Sequence, residues 1–223
     1  MLLSDENQRV IRDRLKPMEN PVALVHFTQE LECQFCRETR ALMEELVRLS
    51  GKLTLETYNF LLDKEQVSQY KVDKIPAIAV AGDRDYGIRY YGIPSGYEFA
   101  SLLDIILYVS RGDSGLKPGA LERLRDLDHP IHLQVFVTPT CPHCPLTVQL
   151  AHQLALASDL VSADMVEATE FPELSYRYGV RGVPHTVVNE EVSIVGAVPE
   201  DDYVKQILES SCAGIGGEAR TAP

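Results

Sequence analysis

Four of the five cysteines occur as two Cys-x-x-Cys pairs, Cys33 with Cys36 and Cys141 with Cys144. Such a pair at the start of a helix places both sulfurs in the first turn, where unpaired backbone N–H groups and the helix dipole stabilise a thiolate. The upstream cysteine is then the expected nucleophile, and the downstream cysteine is close enough to resolve a mixed disulfide. The sequence therefore predicts dithiol–disulfide exchange at two sites.

A proline follows each pair at the same distance. Pro76 lies 43 residues after Cys33, and Pro184 lies 43 residues after Cys141. Because the cysteine pair and the proline recur together, the pattern indicates one redox module present in two copies.

The residues within and before the pairs differ between the two halves. Pro142 is expected at the first helical position, and His143, when protonated, places a positive charge near the thiolate. Both features favour the reduced form, so the second pair is predicted to be the more oxidising. The first pair encloses uncharged residues, and the carboxylates of Glu30 and Glu32 just upstream disfavour a thiolate.

Each half can be divided into the same order of helices and strands. The predicted strands are Val22–Phe27, Leu53–Asn59, Ala77–Ala81 and Tyr86–Tyr91, then Ile131–Val137, Val161–Glu167, His185–Val188 and Val192–Gly196. The predicted helices are Glu6–Leu15, Cys36–Ser50, Lys64–Tyr70 and Ser95–Ser110, then Ala120–Leu127, Cys144–Ala157, Phe171–Tyr178 and Pro199–Ser210. This order implies an α/β fold with mixed central sheets flanked by helices on both faces.

The boundary between the two halves is expected in residues 111–118, which contain two glycines and a proline. The predicted modules are therefore residues 1–113 and 114–211. Residues 212–223 are small and polar and are expected to be a flexible tail. Cys212, in that tail, is predicted to take no part in the chemistry.

Composition narrows the class of protein further. A net charge of −12 argues against binding to nucleic acid. The chain has no apolar run of about 20 residues, which a membrane-spanning helix needs, and its first residues lack the pattern of a signal peptide. A cytoplasmic protein is expected, in which paired cysteines are more often catalytic or metal-binding than structural.

These motifs resemble those of the glutaredoxin-like protein disulfide oxidoreductases. The resemblance rests on Cys33–Cys36 with Lys74–Ala77, and on Cys141–Cys144 with Gly182–His185. It implies an α/β fold of two tandem thioredoxin/glutaredoxin-like modules. The second half is also similar to the N-terminal domain of the alkyl hydroperoxide reductase flavoprotein, especially over Thr140–Ala151.

The resemblance assigns roles to the residues around the two prolines. It implies that Pro76 and Pro184 are cis and face the disulfides. It also implies that Ile75 and Val183 offer backbone groups to an extended segment of the substrate.

The sequence departs from thioredoxin at two points. It contains no tryptophan, and Phe27 and Val135 stand six residues before the nucleophiles, where thioredoxin has a buried acid. Another group or water must then accept the proton of the resolving cysteine. His26 is adjacent in the sequence, but a strand residue can face either side of the sheet.

The predicted function is thiol–disulfide exchange with disulfide-containing or dithiol proteins, as part of cell redox homeostasis. The alternative is an electron carrier between a flavoprotein like thioredoxin reductase and a peroxidase. No glycine motif for dinucleotides occurs in the sequence, so neither nicotinamide nor flavin is expected as a cofactor. A zinc or iron–sulfur protein is a minor alternative, although the two pairs lie much further apart than in usual zinc sites. No metal is expected.

Overall fold

Helices and strands alternate through residues 2–213, which the computed structural model describes. The strands are β1 (Val22–Thr28), β2 (Leu53–Asn59), β3 (Ala77–Ala81), β4 (Asp85–Tyr91), β5 (Ile131–Val137), β6 (Val161–Glu167), β7 (His185–Val188) and β8 (Val192–Val195). The helices are α1 (Asp5–Leu15), α2 (Cys36–Val47), α3 (Lys64–Gln69), α4 (Glu98–Arg111), α5 (Pro118–Arg125), α6 (Cys144–Ala157), α7 (Pro172–Arg177) and α8 (Glu200–Ala213). The predicted order of elements is confirmed.

All of these strands belong to one mixed sheet with the order β2-β1-β3-β4-β6-β5-β7-β8. In the first module β1 is parallel to β2 and antiparallel to β3, which pairs with β4. The second module repeats this arrangement with β5, β6, β7 and β8. The modules join where β4 runs parallel to β6, from the pair Ile88 and Ala163 to the pair Tyr91 and Val166.

The strand directions place both cysteine pairs at one edge of the sheet. Strands β1 and β4 are both antiparallel to β3, and β4, β6 and β5 run parallel to one another. Strands β1 and β5 therefore point the same way, and each cysteine pair follows the carboxyl end of its strand. Four strand spacings separate β1 from β5, which corresponds to about 19 Å.

Helices cover both faces of the sheet. Helices α3 and α7 pack on one face, against the side chains of Val25 and Phe27. The remaining helices cover the other face, which includes Leu24. Since successive strand residues alternate between faces, His26 belongs to the same face as Leu24, under α2. Mixed-sheet modules with helices on both sides are therefore observed, as predicted.

Two helix ends differ from the predicted ones. Helix α4 begins at Glu98 rather than at Ser95, because the three preceding residues form a turn against the second module. Helix α8 continues through Cys212 to Ala213, where the sequence predicted the start of the tail. Ser211 is buried there and its hydroxyl donates to the carbonyl of Leu208, which extends the helix. Residues 214–223, the rest of the predicted tail, lie outside the described residues.

We propose that the boundary between the modules lies after Asp113. Helix α4 ends at Gly112, which has a left-handed φ of 68° and stops the helix. Helix α5 begins at Pro118, in the position where a helix tolerates proline best. The connection between the two helices is thus the short segment that the glycines and proline predicted.

Candidate active site

The first cysteine pair lies in the turn between β1 and α2. Cys36 begins α2 and is 2% exposed, whereas Cys33 is partly exposed. The two cysteines form a disulfide, with Cα atoms 5.5 Å apart. Of these two sulfurs, that of Cys33 is the accessible one, as expected for the residue that attacks a substrate.

The second cysteine pair has the same arrangement in a more enclosed place. Cys141 and Cys144 form a disulfide with Cα atoms 5.5 Å apart. Cys144 is fully buried, and Cys141 is only 8% exposed. The backbone N–H of Cys144 donates to Sγ of Cys141 at 3.2 Å. This donor at the start of α6 stabilises negative charge on the Cys141 sulfur once the disulfide is reduced.

The position predicted for Pro142 is wrong. Helix α6 begins at Cys144, with His143 as its N-cap residue, and Pro145 occupies the first turn. A helix beginning at Pro142 would place Pro145 at a position whose N–H is needed for the first helical hydrogen bonds. The helix therefore starts later. His143 is exposed and remains close to Cys141 along the chain.

Both prolines have the predicted conformation. The peptide bonds Ile75–Pro76 and Val183–Pro184 are cis. Each proline immediately precedes a strand, β3 or β7, that pairs with the strand leading to the cysteines. Both prolines are therefore at the same sheet edge as the disulfides. Ile75 and Val183 are partly exposed, so these two residues remain accessible at that edge.

A turn of the first module forms a wall beside the second cysteine pair. The backbone N–H of Tyr97 donates to the carbonyl of Pro139 at 3.1 Å. Gly96 has φ of +59°, and a Cβ atom there would overlap the carbonyl oxygen of Pro139, so this position requires glycine. Helix α6 also packs against α4 and β4 of the first module, whereas α2 packs on β1 and β2. This difference explains why Cys141 is more buried than Cys33.

The sequence left the orientation of His26 open, and the structure places this side chain beneath α2. His26 is fully buried, and its Nδ1 lies 3.1 Å from the carbonyl oxygen of Ala77. Burial lowers the pKa of His26 to about 4, although the backbone of Ala77 and of Cys36 opposes this. A neutral imidazole thus connects the strand after the cis proline with the helix that begins at Cys36.

Sequence analysis missed the buried carboxyl group of Glu98, next to the wall of the second site. Glu98 is 1% exposed, and its Oε2 accepts a hydrogen bond from Oγ of Ser101 at 2.7 Å. Burial raises the pKa of Glu98 to about 7, although the Ser101 hydroxyl opposes this. An acid in the first turn of a helix is common, so only the turn of Tyr97 against the second module reveals its burial.

A second buried acid, Glu170, joins the two modules. Its Oε1 accepts a hydrogen bond from the backbone N–H of Ile93 at 2.7 Å. Burial raises the pKa of Glu170 to about 7, and the charges of Glu167 and Glu38 raise it further. Since Glu38 lies in the first turn of α2, this carboxyl group lies on the side of the second module that faces the first cysteine pair.

The geometry does not unite the two cysteine pairs. Three strands lie between β1 and β5, so the four sulfurs cannot surround one zinc ion. Among residues 2–213, no group of three or more His, Cys, Asp or Glu side chains is arranged to hold a metal ion. The helices in this part of the chain include none that is long and apolar enough to cross a membrane.

Comparison with known proteins identifies the family. A family model described as a thioredoxin domain matches residues 131–209. The crystal structure of a protein disulfide oxidoreductase from Aeropyrum pernix K1 has a TM-score of 0.88 and 32% sequence identity, and the match covers 96% of this chain and 95% of that one. The chain belongs to the protein disulfide oxidoreductase family. The predictions of fold and family for this oxidoreductase are therefore confirmed.

The oxidoreductase is also similar to the alkyl hydroperoxide reductase AhpF. The Staphylococcus aureus (strain N315) protein is 26% identical over 208 residues, which are 93% of this chain and 38% of that protein. The Enterococcus faecalis (V583) AhpF structure shares the fold, with a TM-score of 0.85 at 24% identity, covering 93% of this chain and 100% of that chain. The first curated relatives are matched over only 30% and 38% of their own length.

Proposed function

We propose that this oxidoreductase exchanges disulfides with protein substrates at both cysteine pairs. One observation carries the proposal: each pair forms a disulfide at the start of a helix, and each has a cis proline at the same sheet edge. A site of this kind needs an accessible sulfur, a second sulfur in contact with it and an open edge for a polypeptide. The partners are disulfide-containing or dithiol proteins.

The chemistry in the reducing direction has two steps. The thiolate of Cys33 or Cys141 attacks one sulfur of the substrate disulfide, forms a mixed disulfide and releases the other substrate sulfur as a thiolate. Cys36 or Cys144 then loses its proton and attacks the protein sulfur of the mixed disulfide, which releases the second substrate thiolate. Two electrons pass to the substrate, and two protons end on its thiols. The reverse sequence oxidises a dithiol substrate.

The residues around the sulfurs set the potential and hold the substrate. His143 beside Cys141 favours the reduced form when protonated, so the second pair is the more oxidising. The exposed backbone at Ile75 and at Val183 pairs with an extended segment of the substrate. These roles explain why the cis prolines and the cysteines occur together in each module.

The electrons for reduction come from another protein in this proposal, and a thioredoxin-reductase-like flavoprotein is the partner that we favour. The similarity to AhpF supports a relationship of this kind, because it covers most of this chain and about a third of that protein. A flavoprotein would reduce the disulfides by the same exchange that the cysteines perform on substrates. We place this exchange in the cytoplasm, where a reductant of that class operates.

The second candidate function is electron transfer to a peroxidase, which the similarity to AhpF supports. The chemistry at the cysteines would be the same, and the difference would lie in the partner. An assay that couples the protein to a flavoprotein reductase and a peroxidase distinguishes the two: a carrier would sustain peroxide turnover at rates that exceed its reduction of unrelated protein disulfides.

Trapping of mixed disulfides tests the proposed roles directly. In a chain whose other pair is replaced by serine, Cys36→Ser or Cys144→Ser removes the resolving sulfur. Each reduced variant should accumulate a mixed disulfide with insulin on Cys33 or Cys141, measured by mass spectrometry. The matched controls carry Cys33→Ser or Cys141→Ser instead and should trap little. Trapping on the downstream cysteine would contradict the roles, and trapping in none of the variants would contradict the function.

A further inference from the structure

We propose that the first cysteine pair selects disulfides in basic and apolar polypeptide segments, and that Glu30, Glu32, Glu38 and Asp73 determine this specificity. The inference rests on the proposed function and names the substrate class of its first site. It follows from a comparison of equivalent positions in the two modules, which are 108 residues apart, as Cys33 and Cys141 are.

Four exposed carboxylates surround the first disulfide. Glu30 and Glu32 belong to the turn that leads from β1 to Cys33, and Glu38 lies in the first turn of α2. Asp73 comes three residues before the cis proline, and its side chain is 72% exposed. A substrate that reaches the sulfur of Cys33 must pass these groups.

The equivalent positions around the second disulfide carry no negative charge. They are occupied by Thr138, Thr140, Leu146 and Arg181, of which the last three are exposed. The charge of the rim thus changes sign between two sites that otherwise share their backbone. Because steering by charge depends on the local field at the site of encounter, the two disulfides should attract different substrates.

Two cations beside the first disulfide do not cancel this difference. Lys74 forms an ion pair with Asp73 at 2.6 Å, and its Nζ lies 3.7 Å from the centre of the Tyr91 ring. Its side chain is only 15% exposed, so it offers little charge to a substrate. Arg37 is exposed, but it is a single positive charge beside the three glutamates, so the rim stays negative.

Exposed leucines add an apolar component to the first site. Strands β1 and β2 end side by side, since Thr28 pairs with Asn59. Just beyond these ends, Leu31 is 79%, Leu61 58% and Leu62 79% exposed. Large side chains this exposed at the edge that carries the disulfide favour contact with apolar residues of a partner. An unfolded segment with leucine-like and lysine-like side chains matches both features.

The acidity of the whole chain must be separated from this local effect. The net charge is −12, so any basic peptide is attracted to the molecule in general. The inference therefore concerns the difference between the two sites, measured within the same full-length chain.

The test uses two variants that each keep one pair. Cys141→Ser with Cys144→Ser keeps the first, and Cys33→Ser with Cys36→Ser keeps the second. Each reduced variant reacts with two disulfide-linked peptides that share an apolar core and carry flanking lysines or glutamates. At low ionic strength the lysine preference of the first pair should exceed that of the second by about tenfold, the lower range of electrostatic steering. The excess should disappear toward about 1 M salt, where the Debye length is about 3 Å.

Charge-neutral variants assign the effect to the named residues. Glu30→Gln, Glu32→Gln and Glu38→Gln together should remove most of the excess at the first pair. The control is Glu122→Gln with Asp126→Asn, two exposed acids on and just after α5, which should leave the excess unchanged. Equal preferences at the two pairs, or an excess that survives the triple variant, would overturn the inference while leaving the proposed function intact. If no peptide were reduced by either pair, the proposed function and the inference would both fail.

Discussion

The backbone N–H of Tyr97 in the first module donates to the carbonyl oxygen of Pro139 in the second at 3.1 Å. This hydrogen bond fixes a turn of one module against the segment that precedes Cys141. The two disulfides are therefore not equivalent: the second is completed by the neighbouring module, and the first is open to solvent.

The glycine in that turn gives a first prediction. Gly96→Ala should lower the free energy of unfolding by more than the roughly 1 kcal/mol cost of a left-handed residue, because the added Cβ meets the backbone of Pro139. It should also slow disulfide exchange at the second pair. Gly112→Ala is the matched control, with φ of +68° and open space around it. Equal effects of the two substitutions on stability and exchange would show that the contact is unimportant.

His132 should make stability depend on pH above neutrality. Burial alone would lower its pKa, but hydrogen bonds and charges from Asp164 and Glu190 outweigh it and raise the pKa of His132 to about 9. A raised pKa contributes stability that is fully present below pH 6.5 and is lost as the pH rises through about 9. Since the side chain is 34% exposed, we expect His132→Gln to cost about 1–2 kcal/mol at pH 6 and little near pH 10. Urea unfolding at the two pH values measures this, and a pH-independent loss would contradict it.

Glu98 should act in the same pH direction for the opposite reason. Burial raises the pKa of its carboxyl group from 4.5 to about 7, so its contribution to stability is present below pH 4.5 and lost as the pH rises through about 7. Glu98→Gln cannot ionise and should therefore gain stability relative to the unchanged protein between about pH 5 and about pH 9. Exposed Glu122→Gln is the control and should show no such trend in thermal unfolding. A parallel trend in both variants would exclude the buried carboxyl group as its cause.

The reduction potential of the second pair should depend on His143. His143→Ala removes a positive charge near the Cys141 thiolate and should make the potential more negative by some tens of millivolts, since about 30 mV corresponds to about 1.4 kcal/mol for two electrons. The reciprocal substitution at the equivalent position, Phe35→His, should make the first pair less negative. Equilibration with glutathione measures both. An unchanged or less negative potential in His143→Ala would contradict the tuning role.

The duplicated spacing was sufficient to predict the fold, the family and the cis prolines. The repeat of 43 residues relates elements within one module, and Pro76 and Pro184 occupy the same place in each. Most strand ends agreed because branched apolar runs end at turn residues, as Val161–Glu167 does. Local patterns of this kind are preserved when a module is duplicated.

The relations between modules could not be predicted in the same way. The pairing of β4 with β6 leaves no mark in the sequence, because buried strands look alike at the centre and at the junction of a sheet. The late starts of α4 and α6 depend on Tyr97 meeting Pro139 and on Pro145. The burial of Glu98 follows from the same contact, so single-chain periodicity gave no sign of it.

Reduction of insulin disulfides by single-pair variants is the most direct test of the account. The central claim is that both pairs exchange disulfides and that the second dominates. Cys141→Ser should lose most of the turnover, Cys33→Ser should lose a smaller part, and the chain with both substitutions should be inactive. If Cys33→Ser lost nearly all activity and Cys141→Ser lost none, the ranking would be wrong. Undiminished turnover in the double variant would contradict the claim that these cysteines perform the chemistry.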